Sequence, residues 1–94
     1  MGIIYDPAKR ITNRHKHGLD FEYAGRVFAG LTLTRLDERG DYGEDRYQTI
    51  GLLGDEVVMV VWTPRGDDRR VISMRKCNAR ERDFFHEEVA RGTA

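Results

Sequence analysis

One cysteine in 94 residues rules out an internal disulfide, and Cys77, at a strand-to-helix junction, reads as a small packing residue. No apolar run is longer than Val57–Trp62, six residues where a membrane helix needs about 20. The start, M-G-I-I-Y-D, has no long apolar stretch behind a basic residue, so no secretory signal is read there. A soluble cytoplasmic protein with no membrane partner is the expectation. Also missing are a P-loop, a Gly-rich dinucleotide fingerprint and a Ser-His-Asp arrangement. His15-x-His17 offers two metal ligands but no Cys or carboxylate set completes a tetrahedral site, so neither a metal nor a cofactor is expected. No repeat, low-complexity tract or linker divides the chain, and residues 1–94 read as one domain with one modest core.

Net charge is absent too, with 16 Lys+Arg against 16 Asp+Glu, but the charges are segregated. Residues 31–56 hold three Arg against seven Asp/Glu, whereas 62–82 hold six Arg and Lys76 against Asp67, Asp68 and Glu81. A basic segment of this kind is the footprint of a polyanion partner, or else a self-compensating solvated surface.

The chain centres on Arg46–Arg82. Gly54-Asp55 between two β-branched runs predicts a hairpin in which Leu52 faces Val57, Ile50 faces Met59 and Gln48 faces Val61. The other face then carries Gly51/Val58, Thr49/Val60 and Tyr47/Trp62. After a Pro64–Asp68 loop, Arg69–Arg75 alternates as a third strand, with Ile72 and Met74 toward the core and Ser73 and Arg75 on the opposite face near Trp62. The expected core is Ile50, Leu52, Val57, Met59, Val61, Ile72 and Met74.

Around this, Asp6-Pro7 starts a helix that runs to Lys16 or His17 and closes at Gly18. Asp20 caps a second, with Phe21, Ala24, Val27 and Phe28 at helical spacing, ending at Gly30. Leu31–Asp37 alternates as a strand, and Glu38–Asp45 is a polar loop. Asn78 and Glu81 have capping-box spacing for a last helix that reaches Gly92. The prediction is an α+β domain: an antiparallel sheet of about four strands, two N-terminal helices and one C-terminal helix, with helices on one face.

Five blocks carry a family resemblance: Y-D-P-A-K (5–9), N-R-H-K-H-G-L-D-F-E-Y-A (13–24), D-R-Y-Q-T-I-G (45–51), V-V-W-T-P-R-G (60–66) and R-R-V-I-S-M-R-K-C (69–77), followed by A-R-E-R (79–82). In order and spacing the chain resembles the BrnT toxins of BrnT/BrnA type II toxin–antitoxin systems, within the RelE-like superfamily. The resemblance implies a small RelE-like ribonuclease that inhibits translation, is neutralised by a BrnA-like antitoxin, and meets DNA only through the antitoxin complex. Met74, Cys77 and Phe85 depart from the residues common in that family, and Phe85 lacks the hydroxyl often found there.

Metal-free RNA cleavage needs a base for the 2′-OH, positive charge on the scissile phosphate and an acid for the leaving oxygen. Arg65, Arg75 and Arg82 are the phosphate-binding candidates, because guanidinium matches phosphate bidentately, and Ser73 is a further donor. His17 is the proton-transfer candidate, with a helix-terminal charge as its alternative reading. Glu81 is a candidate base, with the capping-box partner of Asn78 as its alternative. Lys9 is a phosphate contact if the resemblance holds, and Trp62 with Tyr47 is a platform for an RNA base. The antitoxin is expected to cover this same face of Trp62, Tyr47, Arg65 and Arg75. The competing reading is a catalytically weak module that binds an antitoxin and acts as co-repressor.

Overall fold

Two Gly-Asp turns build the sheet. In this computed structural model, which describes residues 1–92, Gly54 and Gly66 take φ of 61° and 56°, a conformation open to glycine without steric cost. The first turn joins β3 (Tyr47–Leu53) to β4 (Glu56–Arg65), and the second joins β4 to β5 (Asp68–Lys76). The first hairpin has the expected register, with Leu52 opposite Val57, Ile50 opposite Met59 and Tyr47 opposite Trp62. The second is tighter than expected. Arg65 pairs with Asp68, so the Pro64–Asp68 loop shrinks to Gly66-Asp67.

Outside these strands, β1 (Ile3–Ile4) pairs parallel with β5 at Arg69 and Arg70, and β2 (Thr32–Leu36) pairs antiparallel with β3. The order is β1-β5-β4-β3-β2, a mixed five-stranded sheet in place of the four antiparallel strands expected. Helix α1 (Pro7–His17) starts at Asp6, which accepts from the Ala8 amide, and closes at Gly18 with φ 70°. What reads as a second helix opens as a 3-10 turn (Phe21–Tyr23) and continues as the short α2 (Ala24–Ala29). α3 (Ala79–Ala90) carries the full Asn78/Glu81 capping box. No helix among the described residues is long and apolar enough to cross a membrane.

The helices cover both faces of the sheet, which corrects the one-sided arrangement. On one face Leu19, Phe21, Ala24 and Val27 pack on Val58, Val60, Trp62, Val71 and Met74. On the other Phe85 of α3 packs with Ile50, Val57, Met59, Val61 and Cys77. The cause is legible in β4: V-V-M-V-V-W is apolar at every position, and a strand with both sides apolar must be buried on both. Gly51 lets α2 close on β3, because a Cβ there would sit 2.9 Å from Val27 Cγ1.

An irregularity at Val61/Trp62 changes which residues share a face. Val61 pairs with Ser73 but Trp62 pairs with Val71, so Ile72 is the extra residue of a β-bulge. Val71 and Met74, three apart, therefore both face α2, and Met74 leaves the side expected for it. Ile72 packs, half-buried, against the α3-side core. Leu52, beside the hairpin turn, is 43% exposed and drops out of the expected core. Ser73 and Arg75 lie opposite Val61 and Met59, on the α3 face, while Trp62 lies on the α2 face.

Candidate active site

The candidate site forms where β5 ends against α1 and α3. Arg75 projects from β5 beneath the first turn of α3. Its Nη1 and Nη2 donate to Glu81 Oε1 and Oε2, each at 2.8 Å, and Nη2 also approaches Met59 Sδ at 3.4 Å. Glu81 is fixed from the other side by the capping box: Oε1 accepts from the Asn78 amide at 2.9 Å, and the Glu81 amide donates to Asn78 Oδ1 at 2.8 Å. One carboxylate thus caps a helix and aims a guanidinium. Arg75 holds the Glu81 carboxyl down to about 2, with the Asn78 amide as a further contributor, and the pairing raises Arg75.

Helix α1 is pinned to the edge of β5 by Asn13. Its Oδ1 accepts from the Met74 amide at 3.1 Å, while Nδ2 donates to the Met74 carbonyl at 2.9 Å and the Leu19 carbonyl at 3.1 Å. A buried side-chain amide thereby replaces a neighbouring strand. One turn further, half-buried His17 is pushed below its ordinary value, first by burial and then by the charges of Lys16 and Arg75. That direction favours the neutral imidazole, the form that accepts a proton.

Ser73 precedes Arg75 by two residues and shares its face. Exposed Arg82 donates through Nη1 to the Cys77 carbonyl at 3.0 Å, at the junction of β5 and α3. The buried Cys77 thiol is pushed up to about 11 by burial, and that suits packing, not nucleophilic attack. Two residues that sequence reasoning passed over bear on the pair: the charge of Arg39 lowers Arg75, and that of Arg35 lowers Glu81. Arg35 Nε donates to Gln48 Oε1 at 2.8 Å, and Arg39 grips buried Asp37 through two bonds of 2.8 and 2.7 Å. Alternation along Leu33–Arg35 on one strand was the available signal. For Asn13 it was a poor helix former inside a helix, four residues from both Lys9 and His17.

Other candidates stand elsewhere. Arg65 lies six residues along β4 from Met59, the partner of Arg75, so about 20 Å separates the two arginines and they do not hold one phosphate together. Arg65 instead bonds Glu44 at 2.9 Å. Exposed Lys9 sits on the Asn13 side of α1, about 12 Å along the axis from His17. Trp62 is corrected from an exposed platform to a core residue: it is 9% exposed, its Nε1 donates to Thr49 Oγ1 at 2.8 Å, and Phe28, Tyr47 and Arg69 crowd its ring. Tyr47 is half-buried beside it. The single face of Trp62, Tyr47, Arg65 and Arg75 on which substrate and antitoxin were expected is therefore not formed. Arg69, expected to be a plain edge charge, caps the aromatic cluster 4.1 Å from the Phe28 ring centre.

Among the described residues no three His, Cys, Asp or Glu side chains converge as a metal-ligand set. No curated protein matches the chain significantly. A family model described as "Ribonuclease toxin, BrnT, of type II toxin-antitoxin system" matches residues 5–81, and that span takes in Lys9, Asn13, His17, Ser73, Arg75 and Glu81. With well over half its length matched and the expected blocks in place, the chain belongs to the BrnT family of ribonuclease toxins, whose substrate is RNA and whose partner is an antitoxin.

Proposed function

We propose that the chain is a metal-independent endoribonuclease acting at the junction of α1, β5 and α3, where Arg75 binds the scissile phosphate and His17 takes the 2′-OH proton. The observation that carries this reading is the Arg75–Glu81 pair, fixed by two 2.8 Å bonds at the junction of β5 and α3, whose Arg75 charge reaches half-buried His17 at the end of α1. Glu81 and Met59 occupy three of the five N–H donors of Arg75, and a 3.4 Å contact with the Lys76 carbonyl weakly holds a fourth. Nε and that weak donor are what the guanidinium offers to a phosphate oxygen. Glu81 is in this reading a positioning residue, because a carboxylate with a pKa of about 2 is a poor proton acceptor near neutrality. Ser73 and Arg82 lie beside Arg75 as further donors to the RNA backbone. Lys9 and Arg65, at greater distance, extend the contacts along the strand.

Attack of the 2′-oxygen on phosphorus breaks the bond to the 5′-oxygen, which takes a proton from water and leaves as a 5′-hydroxyl, and the other product ends in a 2′,3′-cyclic phosphate. Such cleavage in the cytoplasm would stop translation, and a BrnA-like antitoxin would neutralise it and carry the pair to DNA.

The second reading, a catalytically weak antitoxin-binding co-repressor, draws support from the same pairing, since most of the Arg75 donors are engaged. Expression of the chain alone separates the two. Growth arrest with loss of RNA is the outcome of the first reading, and unimpaired growth with intact RNA is the outcome of the second.

A further inference from the structure

The two edges of the sheet are treated differently. On the β5 side, β1 pairs with Arg69 and Arg70, and Asn13 occupies both the amide and the carbonyl of Met74. On the β2 side nothing comparable is present among the described residues. The Asp37 amide donates to the Arg46 carbonyl, and in an antiparallel ladder of this register that turns Leu33 and Arg35 inward to β3 and Thr32, Thr34 and Leu36 outward. The short strand T-L-T-R-L carries one charge, Arg35, which bonds Gln48 of β3, and contains no proline, lysine or bulge to blunt its outer edge. Alongside it runs a groove of about 310 Å³ between the sheet and α3, lined by Leu33, Ile50 and Phe84, the last 47% exposed, together with one charge of each sign, Arg35 from β2 and Glu88 from α3.

We propose that the outer edge of β2 and the groove beside it receive an extended segment of the antitoxin, which adds a sixth strand to the sheet. This rests on the toxin reading above and moves the partner away from the buried Trp62. Unpaired backbone selects an extended chain, and side chains at every second position of that chain would enter the groove. The occupant is an apolar residue over Leu33, Ile50 and Phe84 with an acidic residue toward Arg35. A second copy of this chain fits less well. Pairing all five β2 residues antiparallel about Thr34 brings the two Arg35 side chains into diagonal contact, an unfavourable like-charge approach.

Amide hydrogen exchange on the intact chain, alone and with its cognate antitoxin, tests the proposal. Exchange at Thr34 and Leu36 should slow by about tenfold or more in the complex, while Leu33 and Arg35 are already protected in the free protein. Thr34→Pro removes an outward backbone donor and also the Thr34–Thr49 hydroxyl bond of 2.8 Å, whereas Thr34→Val removes that bond alone, so the folded Thr34→Pro should bind the antitoxin at least tenfold more weakly than Thr34→Val. Binding with unchanged Thr34 and Leu36 exchange overturns the docking site and leaves the toxin reading intact. Protection that appears in the chain alone as its concentration rises points to a second copy and overturns it as well. No binding at all removes the toxin–antitoxin reading and this proposal together.

Discussion

Arg75→Ala is expected to lower RNA cleavage by about two to three orders of magnitude, the usual effect of deleting one preorganised charge-stabilising donor. The guanidinium is aimed by two 2.8 Å bonds to a carboxylate that is itself held by a helix cap, so the proposed phosphate binding would need little reorganisation. Arg75→Lys should rescue only partly, because an ammonium keeps the charge and loses the fork. Cleavage by Arg75→Ala at the wild-type rate, with the fold intact by circular dichroism, would remove Arg75 from the chemistry. The same variant has a stability signature. The folded-state value of Glu81, about 2, lies below its ordinary 4.5, so the pair stabilises the fold fully above that ordinary value and the contribution fades as pH falls toward 2. Urea denaturation from pH 6 to pH 2 should show this acid loss in the wild type and much less of it in Arg75→Ala.

Asn13→Ala is expected to destabilise the fold by about 3 kcal/mol or more, since each buried backbone group left unpaired costs about 1–3 kcal/mol. The Met74 amide and carbonyl and the Leu19 carbonyl all lose their partner. Because Asn13 lies one turn before His17, cleavage should fall more than stability alone accounts for, even well below the denaturation midpoint. Asn13→Asp restores an acceptor for the Met74 amide but no donor for the two carbonyls, so it should not rescue. A loss under about 0.5 kcal/mol, the level of a surface substitution, would show that α1 is held by other contacts.

The contrast between these two residues illustrates what a linear reading captures. The β3–β4 register followed from Gly54-Asp55 because a two-residue turn leaves a single pairing, and the caps at Asp6, Asp20 and Asn78 are local chemistry. The bulge at Val61/Trp62 has no local signal. One unpaired residue there reversed the side of Met74 and parted Arg75 from Trp62. Two-sided burial is legible in the unbroken apolar run of β4, yet Tyr47 and Trp62 read equally as an exposed face, because aromatics suit both a core and a stacking platform. The clamp of Asn13 on Met74 spans 61 residues of sequence, a pairing that only the folded chain reveals.

The most direct test is analysis of the product ends when the purified chain is incubated with RNA in excess EDTA. Attack by a 2′-oxygen under Arg75 and His17 predicts cleavage that survives the chelator and leaves 2′,3′-cyclic phosphate and 5′-hydroxyl ends. Intact RNA, cleavage abolished by EDTA, or products with 3′-hydroxyl and 5′-phosphate ends would contradict it.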